Sequence, residues 1–274
     1  MSKKASIPYL EFEMAVSIVV TGAAGRMGST ICRMVADDPN LKLVAVVERP
    51  GKESGLVSWD ALKGTSLNEI LPQVPGTVII DFSAPEASVC NAKIAAKHGN
   101  ALVIGTTGLS AEQKDEIAAE AAKTPVFWSP NMSIGVNVLL AILPKLAQAL
   151  GESYDMEIME IHHKLKKDSP SGTALRLAEA LAEARDWELD EVGQYHREGI
   201  IGERPHKEIG VQTLRGGDVV GVHTVYFLGP GERIEINHQA HSREMFAKGA
   251  IRAAIWLASQ KPGKLYAMPD MLDV

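Results

Sequence analysis

The chain has 274 residues, enough to bury a core without disulfides or a structural metal, and 46% of them are hydrophobic while 23% are charged. These fractions are those of ordinary globular proteins, and they argue against disordered, collagen-like and membrane-spanning classes. The formal net charge of −6 argues against a general nucleic-acid binder, because such proteins normally present a basic surface to phosphates.

The N-terminal segment and the two cysteines indicate the cellular compartment. Residues 1–14 have no continuous apolar run or cleavage site of a signal peptide, and no later run approaches membrane-spanning length. Cys32 and Cys90 lie in helix-like stretches without metal-ligand spacing. We therefore expect a cytoplasmic protein with no membrane partner and no metal. The residues before Met14 read as an extension or as a misassigned start.

The first half of the chain alternates between strand-like and helical segments. An apolar, β-branched run at 15–21 ends in glycine and is followed by helical spacing over 26–36. Further strand-like runs occupy 41–47, 77–83, 101–107 and 125–130. This alternation predicts a doubly wound parallel sheet, an α/β fold of the Rossmann type, with ligands bound where the strands end.

The pattern changes after residue 131. The sequence predicts an apolar helix over 134–150, a strand over 154–160, a helix after Ser171, strand-rich sequence over 209–238 and a final helix over 243–260, with a polar surface excursion over 186–208. We interpret this second part as a smaller α+β domain.

A glycine string follows the first strand. Gly22, Gly25 and Gly28 stand between strand and helix, where a backbone without side chains can approach a pyrophosphate at the helix N-terminus. The G-x-x-G-x-x-G spacing is less specific than G-x-G-x-x-G and also occurs in tight turns. Glu48 ends the second strand, where a carboxylate can bind ribose hydroxyls. Arg49 could bind a 2′-phosphate, so the prediction is NADH and/or NADPH. Both residues could instead begin a solvated loop.

Small hydrogen-bonding residues end two further predicted strands. They are Gly105-Thr106-Thr107 and Ser129-Pro130-Asn131. Such residues suit a nicotinamide and its ribose lying close to backbone, although each tripeptide could by itself be only a turn.

The segment 160–174 carries most of the expected chemistry. His162 and His163 end a strand, and on an extended backbone they point to opposite faces, so they do not form one metal site. Lys164, Lys166 and Lys167 add positive charge beside them.

A helix start follows the lysines. Residues 169–173 supply a capping hydroxyl, a proline that we place in the first turn, and free backbone N–H groups. Imidazole, ammonium and a helix N-terminus together suit a substrate that carries two carboxylates. The alternative is an exposed basic turn with ordinary surface histidines. Four later residues either complete this pocket or are charges at a strand edge: Arg233, His238, His241 and Arg243.

With these motifs in place, the chain closely resembles the 4-hydroxy-tetrahydrodipicolinate reductase family, also called dihydrodipicolinate reductase. The family-specific pattern is His-His-x-x-Lys-x-Asp-x-Pro-Ser-Gly-Thr-Ala at 162–174. Other matches are I-D-F-S at 80–83, N-x-S-x-G-V-N-V at 131–138, R-E-G at 197–199 and G-E-R-I-E-I-x-H at 231–238. Leu165 departs from relatives that carry a basic or polar residue there.

The resemblance implies a role for each site residue. The cofactor is held by Gly22, Ala23, Ala24, Gly25, Arg26, Met27, Glu48, Arg49, Gly105, Thr106, Thr107, Ser129, Pro130, Asn131 and Met132. His162 is the catalytic acid/base, Lys166 is the proton donor, and the substrate contacts are His163, Gly172 and Thr173. The spacing alone does not decide whether His162 or Lys166 delivers the proton.

The resemblance also implies a domain division, an assembly and a reaction. A dinucleotide-binding domain would comprise 1–132 together with 242–274, and a substrate-binding and oligomerisation domain would comprise 133–241, usually in a homotetramer. The reaction would be NAD(P)H-dependent reduction of 4-hydroxy-tetrahydrodipicolinate to tetrahydrodipicolinate, with loss of water, in diaminopimelate and lysine biosynthesis.

Two other functions are compatible with the motifs. The same nucleotide site could serve a different substrate, such as an amino-acid semialdehyde or another cyclic imine acid. The chain could also be a nicotinamide sensor or scaffold without turnover, although a sensor needs no proton donor beside an anion cradle.

Overall fold

The computed structural model describes residues 15–274. The segment before Met14, which we interpret as an extension or a misassigned start, lies outside these residues. The chain divides into two compact units. The first runs to Pro130 and takes in Ala250–Ala267, and the second comprises Asn131–Gly249 and Met268–Val274. Each is described separately.

The elements are as follows, in chain order. The strands are β1 (Val16–Thr21), β2 (Leu41–Val47), β3 (Leu62–Gly64), β4 (Val78–Asp81), β5 (Ala101–Ile104), β6 (Val126–Trp128), β7 (Asp155–His162), β8 (Gly193–Gln194), β9 (Ile209–Arg215), β10 (Gly221–Gly229), β11 (Glu232–Ala240) and β12 (Leu265–Tyr266). The α-helices are α1 (Arg26–Asp37), α2 (Leu67–Ile70), α3 (Pro85–His98), α4 (Ala111–Ala121), α5 (Ile134–Leu150), α6 (Gly172–Glu183), α7 (Leu189–Val192), α8 (Glu244–Leu257) and α9 (Met268–Leu272).

The first unit is built on a seven-stranded sheet in the order β12-β6-β5-β4-β1-β2-β3, in which every neighbouring pair is parallel. The order of β1 to β6 reverses at β1, as in a doubly wound fold, and confirms the Rossmann-like class. The apolar runs of β1, β4 and β5 are buried almost throughout because helices cover both faces of such a sheet. The glycine loop and the other strand ends are thus held on a rigid support.

The second unit contains a mixed five-stranded sheet in the order β11-β10-β7-β9-β8. β10 pairs antiparallel with β7 and β11, whereas β9 pairs parallel with β7 and β8. This confirms the predicted α+β class of the second part. The strand-rich stretch 209–238 resolves into β9, β10 and β11, with turns between them. β7 ends at His162, two residues beyond the strand predicted over 154–160 and at the first of the two histidines that were predicted to end it.

The core of the second unit lies between one face of this sheet and helices α5 and α6. Burial along β7 alternates strictly, so that Met156, Ile158, Glu160 and His162 all face inward. Met156 and Ile158 join an apolar cluster with β10 residues Val225 and Phe227, and with the apolar face of α6. The two polar residues at the end of this alternation are therefore carried into the interior by the same period that builds the core.

The observed units differ in their bounds from the expected division of 1–132 with 242–274 and 133–241. Asn131, Met132 and residues 242–249 belong to the second unit, and so does the C-terminal segment from Met268. The segment joins that unit because α9 packs against α5. No helix within residues 15–274 is both long and apolar enough to span a bilayer.

Candidate active site

The parallel sheet brings the predicted cofactor residues of the first unit to the ends of neighbouring strands. Gly22 follows β1, Glu48 follows β2, Gly105 follows β5 and Ser129 follows β6. Strands β1, β2, β5 and β6 all run in the same direction, so these residues share one edge of the sheet.

The glycine loop between β1 and α1 is shaped by close backbone contacts. Gly22 has a φ of +64°, a conformation that favours glycine, and its carbonyl accepts a hydrogen bond from the Gly25 N–H at 2.9 Å. A Cβ on Gly28 would stand 2.1 Å from the Gly22 oxygen, so no larger residue fits there without moving the loop. Gly25 caps α1 without a side-chain hydrogen bond, which leaves the first-turn N–H groups available to an anion.

Glu48 is fixed against the same loop. Its Oε2 accepts a hydrogen bond from the Ala24 N–H at 3.0 Å, and its Oε1 accepts one from the Arg49 N–H at 3.0 Å. The carboxylate therefore lies beside the glycine loop rather than out in solvent. This is the placement that binding of an adenosine ribose requires.

Below the strand ends, a buried carboxylate ties three elements together. Asp81, at the end of β4, is fully buried, and its two oxygens lie 2.5 Å from the hydroxyls of Thr21 and Ser88. The Ser88 hydroxyl lies 2.8 Å from the hydroxyl of Thr106. The network thus fixes the end of β1, the start of α3 and the loop after β5. Asp81 was given no role from the sequence.

Gly105 is required by packing as well as by any ligand. A Cβ at this position would stand 2.2 Å from the ring of Phe82, and its N–H donates to the Asp81 carbonyl at 2.9 Å. Thr106 continues the turn, with its carbonyl accepting from the Trp128 indole at 3.2 Å, and Thr107 lies exposed beyond it.

The last predicted cofactor segment runs across the division between the units. Ser129 is buried and donates its N–H to the Ile104 carbonyl at 3.1 Å, while Pro130 is exposed. Asn131 and Met132 belong to the second unit. The Asn131 Oδ1 accepts from the Ser133 N–H at 2.9 Å, and Met132 is buried.

In the second unit, strand register places a row of polar side chains across the sheet. Glu160 on β7 pairs with Thr213 on β9 and with His223 on β10, and His223 pairs in turn with His238 on β11. Paired residues share a face, so these side chains project toward the helices. The ring of His162, two residues along β7, meets the His223 ring edge-on at 5.1 Å.

Glu160 is the centre of this row. It is fully buried, and its Oε2 lies 2.5 Å from His162 Nδ1. Arg215 donates to both carboxylate oxygens at 2.8 Å. Oε1 also accepts from the Ser171 N–H at 2.9 Å and from the Thr213 hydroxyl at 3.3 Å. Burial acts to raise the pKa of Glu160, but the hydrogen bonds from Arg215, His162 and Ser171 outweigh it and lower the pKa to about 2. Glu160 is therefore an anion.

That anion fixes the tautomer of His162, while burial keeps the ring neutral. Burial lowers the pKa of His162, and the charges of Lys166 and Arg215 lower it further, although the bond to Glu160 acts in the opposite direction. The net result is a neutral ring at pH 7. Because Nδ1 faces an acceptor, it carries the ring proton, and Nε2 holds a lone pair. A Cβ on Gly221 would stand 2.9 Å from this Nε2, so a glycine is needed to leave room for it.

The lysine turn lies after the strand. The Lys166 ammonium pairs with Asp168 at 2.9 Å, and this bond lowers the pKa of the Asp168 carboxyl. The Lys166 side chain is only 20% exposed, whereas Lys164 and Lys167 are exposed. His163 lies just past the end of β7 and accepts the Leu165 N–H at its Nδ1. Lys166 is therefore the least exposed of the three lysines in this turn.

Helix α6 begins at the predicted position, with one correction. Ser171 is the N-cap, and its hydroxyl accepts from the Ala174 N–H at 3.2 Å. Pro170 precedes the cap and does not lie in the first turn, because the glycine at 172 is the first helical residue. Thr173, in that turn, accepts from the Asn131 amide at 3.1 Å. A Cβ added to Gly172 would meet no atom within 4 Å, so the space beside this helix start is open.

The structure separates the four later residues that the sequence left undecided. His238 and His241 line a cavity at the N-terminus of α5, together with Ser133. Arg233 forms an exposed pair with Glu235 on β11 and is a strand-edge charge. Arg243 is not among the residues that line the cavity.

Three residues of this site, Glu160, Arg215 and His223, were given no role from the sequence, although the spacing of Glu160 and His162 predicts one face of a strand. Within residues 15–274, no three His, Cys, Asp or Glu side chains are grouped to hold a metal ion.

A Rossmann-like sheet with a glycine loop after its first strand, in a chain that also holds a histidine and a lysine near a serine-capped helix start, is typical of a nicotinamide-dependent oxidoreductase. Residues 16–132 match the family described as "Dihydrodipicolinate reductase, N-terminus", and residues 135–272 match "Dihydrodipicolinate reductase, C-terminus". The chain belongs to the dihydrodipicolinate reductase family.

Individual relatives agree with this assignment. The 4-hydroxy-tetrahydrodipicolinate reductase of Nitratidesulfovibrio vulgaris strain DP4 is 66% identical over 258 residues, which cover 94% of this chain and 100% of the relative. The protein of the same name from Oleidesulfovibrio alaskensis is 66% identical over 259 residues, with the same coverage. The dipicolinate-bound dihydrodipicolinate reductase from Paenisporosarcina sp. TG-14 shares the fold, with a TM-score of 0.75 and 24% identity over 93% of this chain and 98% of that one.

Proposed function

We propose that this chain reduces 4-hydroxy-tetrahydrodipicolinate to tetrahydrodipicolinate, with loss of water and oxidation of NAD(P)H, in the synthesis of diaminopimelate and lysine. The observation that carries the proposal is the constellation of Glu160, His162 and Lys166 beside the start of α6, in a chain that also has the glycine loop. Family membership supplies the substrate. The reduced nicotinamide supplies a hydride, and the protein must supply a proton and bind two carboxylates.

The proposed proton donor is Lys166. With its Nδ1 proton directed at Glu160, neutral His162 has only a lone pair at Nε2 and therefore no proton to give there. The Lys166 ammonium has three N–H donors, of which the bond to Asp168 uses one. In the loss of water, His162 Nε2 accepts the proton that leaves the neighbouring ring carbon and then passes it to the departing 4-hydroxyl, so this step consumes no net proton. When a hydride then adds to the resulting conjugated ring, a proton from Lys166 goes to the neighbouring carbon, and Lys166 regains a proton from solvent.

The proposed substrate contacts are His163, Gly172 and Thr173. Gly172 and Thr173 are the first residues of α6, where backbone N–H groups and the helix dipole favour a carboxylate. Glu160 helps to set this helix start in place, because it accepts the Ser171 N–H. One carboxylate anion thus serves both the histidine and the carboxylate-binding helix.

The proposed cofactor is NADH or NADPH, with both accepted, and it would be held by the fifteen residues from Gly22 to Met132 named in the sequence analysis. Glu48 is fixed by backbone N–H groups and suits the ribose hydroxyls of NADH. Arg49 supplies a cation for a 2′-phosphate. We expect Arg49→Ala to lower kcat/KM with NADPH on the order of tenfold and with NADH much less. Equal losses with both cofactors would contradict this role.

We propose that the first unit binds the dinucleotide and that the second binds substrate and mediates assembly into a homotetramer. The support is an exposed apolar pair on the excursion, Ile200 fully and Ile201 57% exposed. The excursion is tied to the sheet by Arg197, which pairs with Glu157 and Glu208. Sedimentation should give a tetramer for the native chain and a smaller species for the Ile200→Asp/Ile201→Asp double variant. A native monomer would refute the assembly.

We place the protein in the cytoplasm, where its free cysteines Cys32 and Cys90 would stay reduced. Cell fractionation followed by immunodetection tests this placement, and recovery from any other fraction would contradict it.

The reaction is tested by following NAD(P)H absorbance while the substrate is generated from pyruvate and aspartate semialdehyde by the preceding enzyme. Substrate-dependent loss of absorbance is expected. Loss with aspartate semialdehyde alone would indicate the semialdehyde substrate instead. NADH binding without loss of absorbance for any cyclic imine dicarboxylate would favour the sensor.

A further inference from the structure

His223 is a buried histidine that the proposed chemistry does not use. It lies on β10 directly opposite Glu160 and is only 5% exposed. Its ring contacts the ring of His162 edge-on and lies 6.4 Å from that of His238. A polar side chain held this deeply at a sheet position next to the site needs a hydrogen-bonding reason to be there.

Its partner is the hydroxyl that caps α6. His223 Nε2 lies 3.0 Å from Ser171 Oγ, and the same oxygen accepts the Ala174 N–H at 3.2 Å. The Ser171 N–H donates to Glu160. Thus β7, through Glu160, and β10, through His223, each bind one group of the N-cap residue. These two strands set where α6 begins.

The direction of the bond follows from counting donors and acceptors. A serine hydroxyl has one hydrogen and two lone pairs. If Ser171 donates to His223 Nε2, one polar group of these two side chains is left over: the His223 Nδ1–H, which is buried without a partner among residues 15–274. If Nε2 donates instead, both the Ser171 hydrogen and the Nδ1 lone pair lack partners. The first arrangement leaves fewer buried polar groups unsatisfied.

A neutral ring agrees with this arrangement. Burial lowers the pKa of His223 to about 4, and His162, when it is protonated at low pH, acts in the same direction. At neutral pH the ring is therefore uncharged and its Nε2 is free to accept a hydrogen bond. A second serine cap lies near the next histidine of the row: His238 Nε2 is 3.4 Å from Ser133 Oγ, the N-cap of α5.

We propose that His223 is a positioning residue that holds the Ser171 hydroxyl and so keeps the first turn of α6 in place for a substrate carboxylate. This inference rests on the proposed function for the identity of the substrate. His223 acts through Ser171 and does not itself contact the reacting atoms.

The test uses a pair of variants at His223. Leucine removes the polar atom, whereas glutamine places an amide group at about the same distance from the backbone as the histidine Nε2. We expect His223→Leu to raise KM for the cyclic substrate on the order of tenfold, with kcat and KM for NADH changed less than about threefold. His223→Gln should restore KM to near the native value. His98→Leu, on α3 of the other unit, is the matched control and should change none of these constants.

A double-mutant cycle tests whether the effect passes through Ser171. Ser171→Ala should raise the substrate KM as His223→Leu does, and the double variant should be no worse than either single variant. Additive losses would overturn the proposal, and so would a native substrate KM in His223→Leu. A lower kcat with a higher KM for both substrate and NADH, neither restored by His223→Gln, would show that His223 has only a structural role. That result would also overturn the proposal. Thermal unfolding identifies variants that do not fold.

A spectroscopic measurement keeps the proposal testable without turnover. In long-range ¹H–¹⁵N spectra of the native protein, His223 should be the tautomer protonated at Nδ1, and Ser171→Ala should shift it toward the Nε2 form. A ring protonated at Nε2 in both proteins would overturn the inference. Failure of the native enzyme to consume NAD(P)H would instead overturn the proposed function, and the tautomer would still decide the role of His223.

Discussion

Replacing Glu160 by Gln should destabilise the protein by about 3 kcal/mol at pH 7. The change keeps the size of the side chain and an acceptor for the Ser171 N–H, but removes the charge that Arg215 binds through two hydrogen bonds. The pKa of Glu160 falls from 4.5 to about 2 on folding, a difference of about 2.5 units, and at about 1.36 kcal/mol per unit this corresponds to ~3.4 kcal/mol. Breaking a buried ion pair typically costs about 3–5 kcal/mol, so the two figures agree.

The assay is urea and thermal unfolding of the native and variant proteins, followed by circular dichroism. A loss of about 3 kcal/mol corresponds to a fall in the unfolding midpoint of roughly 6–12 °C. Glu235→Gln is the matched control, because its pair with Arg233 is exposed and should contribute less than about 1 kcal/mol. Because the folded pKa of Glu160 is lowered, its contribution is complete above pH 4.5 and is lost as the pH falls toward 2. An E160Q protein as stable as the control at pH 7 would refute this reasoning.

Three further predictions concern Lys166, His223 and Gly28. Lys166→Ala should lower kcat by on the order of 10² and leave NADH binding nearly intact, whereas Lys164→Ala should not; unchanged turnover would remove Lys166 from the mechanism. The pKa of His223 falls from 6.5 to about 4 on folding, so the unfolded chain takes up a proton first as the pH is lowered. The free energy of unfolding should therefore fall by about 2 kcal/mol between pH 7 and pH 5 because of this residue. A His223→Gln protein whose unfolding has the same pH dependence would contradict this. Gly28→Ala should abolish detectable NADH binding by calorimetry, because its Cβ would stand 2.1 Å from the Gly22 oxygen, while Gly216→Ala, with open space around it, should bind normally.

Features that depend on nearby residues could be predicted from the sequence. The run from β1 through the glycine loop to α1 was recognisable because its buried strand, its glycines and its helical period are contiguous. Ser171 lies within the segment 169–173 that was predicted to start a helix, although Pro170 was placed in the first turn and in fact precedes the N-cap by one residue. Local chemistry thus fixed these elements to within one or two residues.

Features that depend on sheet register could not be predicted. Glu160 meets Thr213 and His223 because β7 pairs with β9 and β10 at one particular alignment, and no local pattern specifies that alignment. The same holds for the bond between Arg215 and Glu160, which are 55 positions apart. The buried network at Asp81 likewise joins separate elements. Only the two-residue spacing of Glu160 and His162 was a local signal, and it was overlooked.

The defining step of the proposed reaction is the transfer of a hydride from reduced nicotinamide to a cyclic dicarboxylate. Mass spectrometry of the product formed with NADH deuterated at the transferred position follows this step. We expect tetrahydrodipicolinate that carries one deuterium, formed by the native enzyme and formed more slowly by on the order of 10² in Lys166→Ala. Unlabelled product, or label found in a semialdehyde-derived product instead, would contradict it.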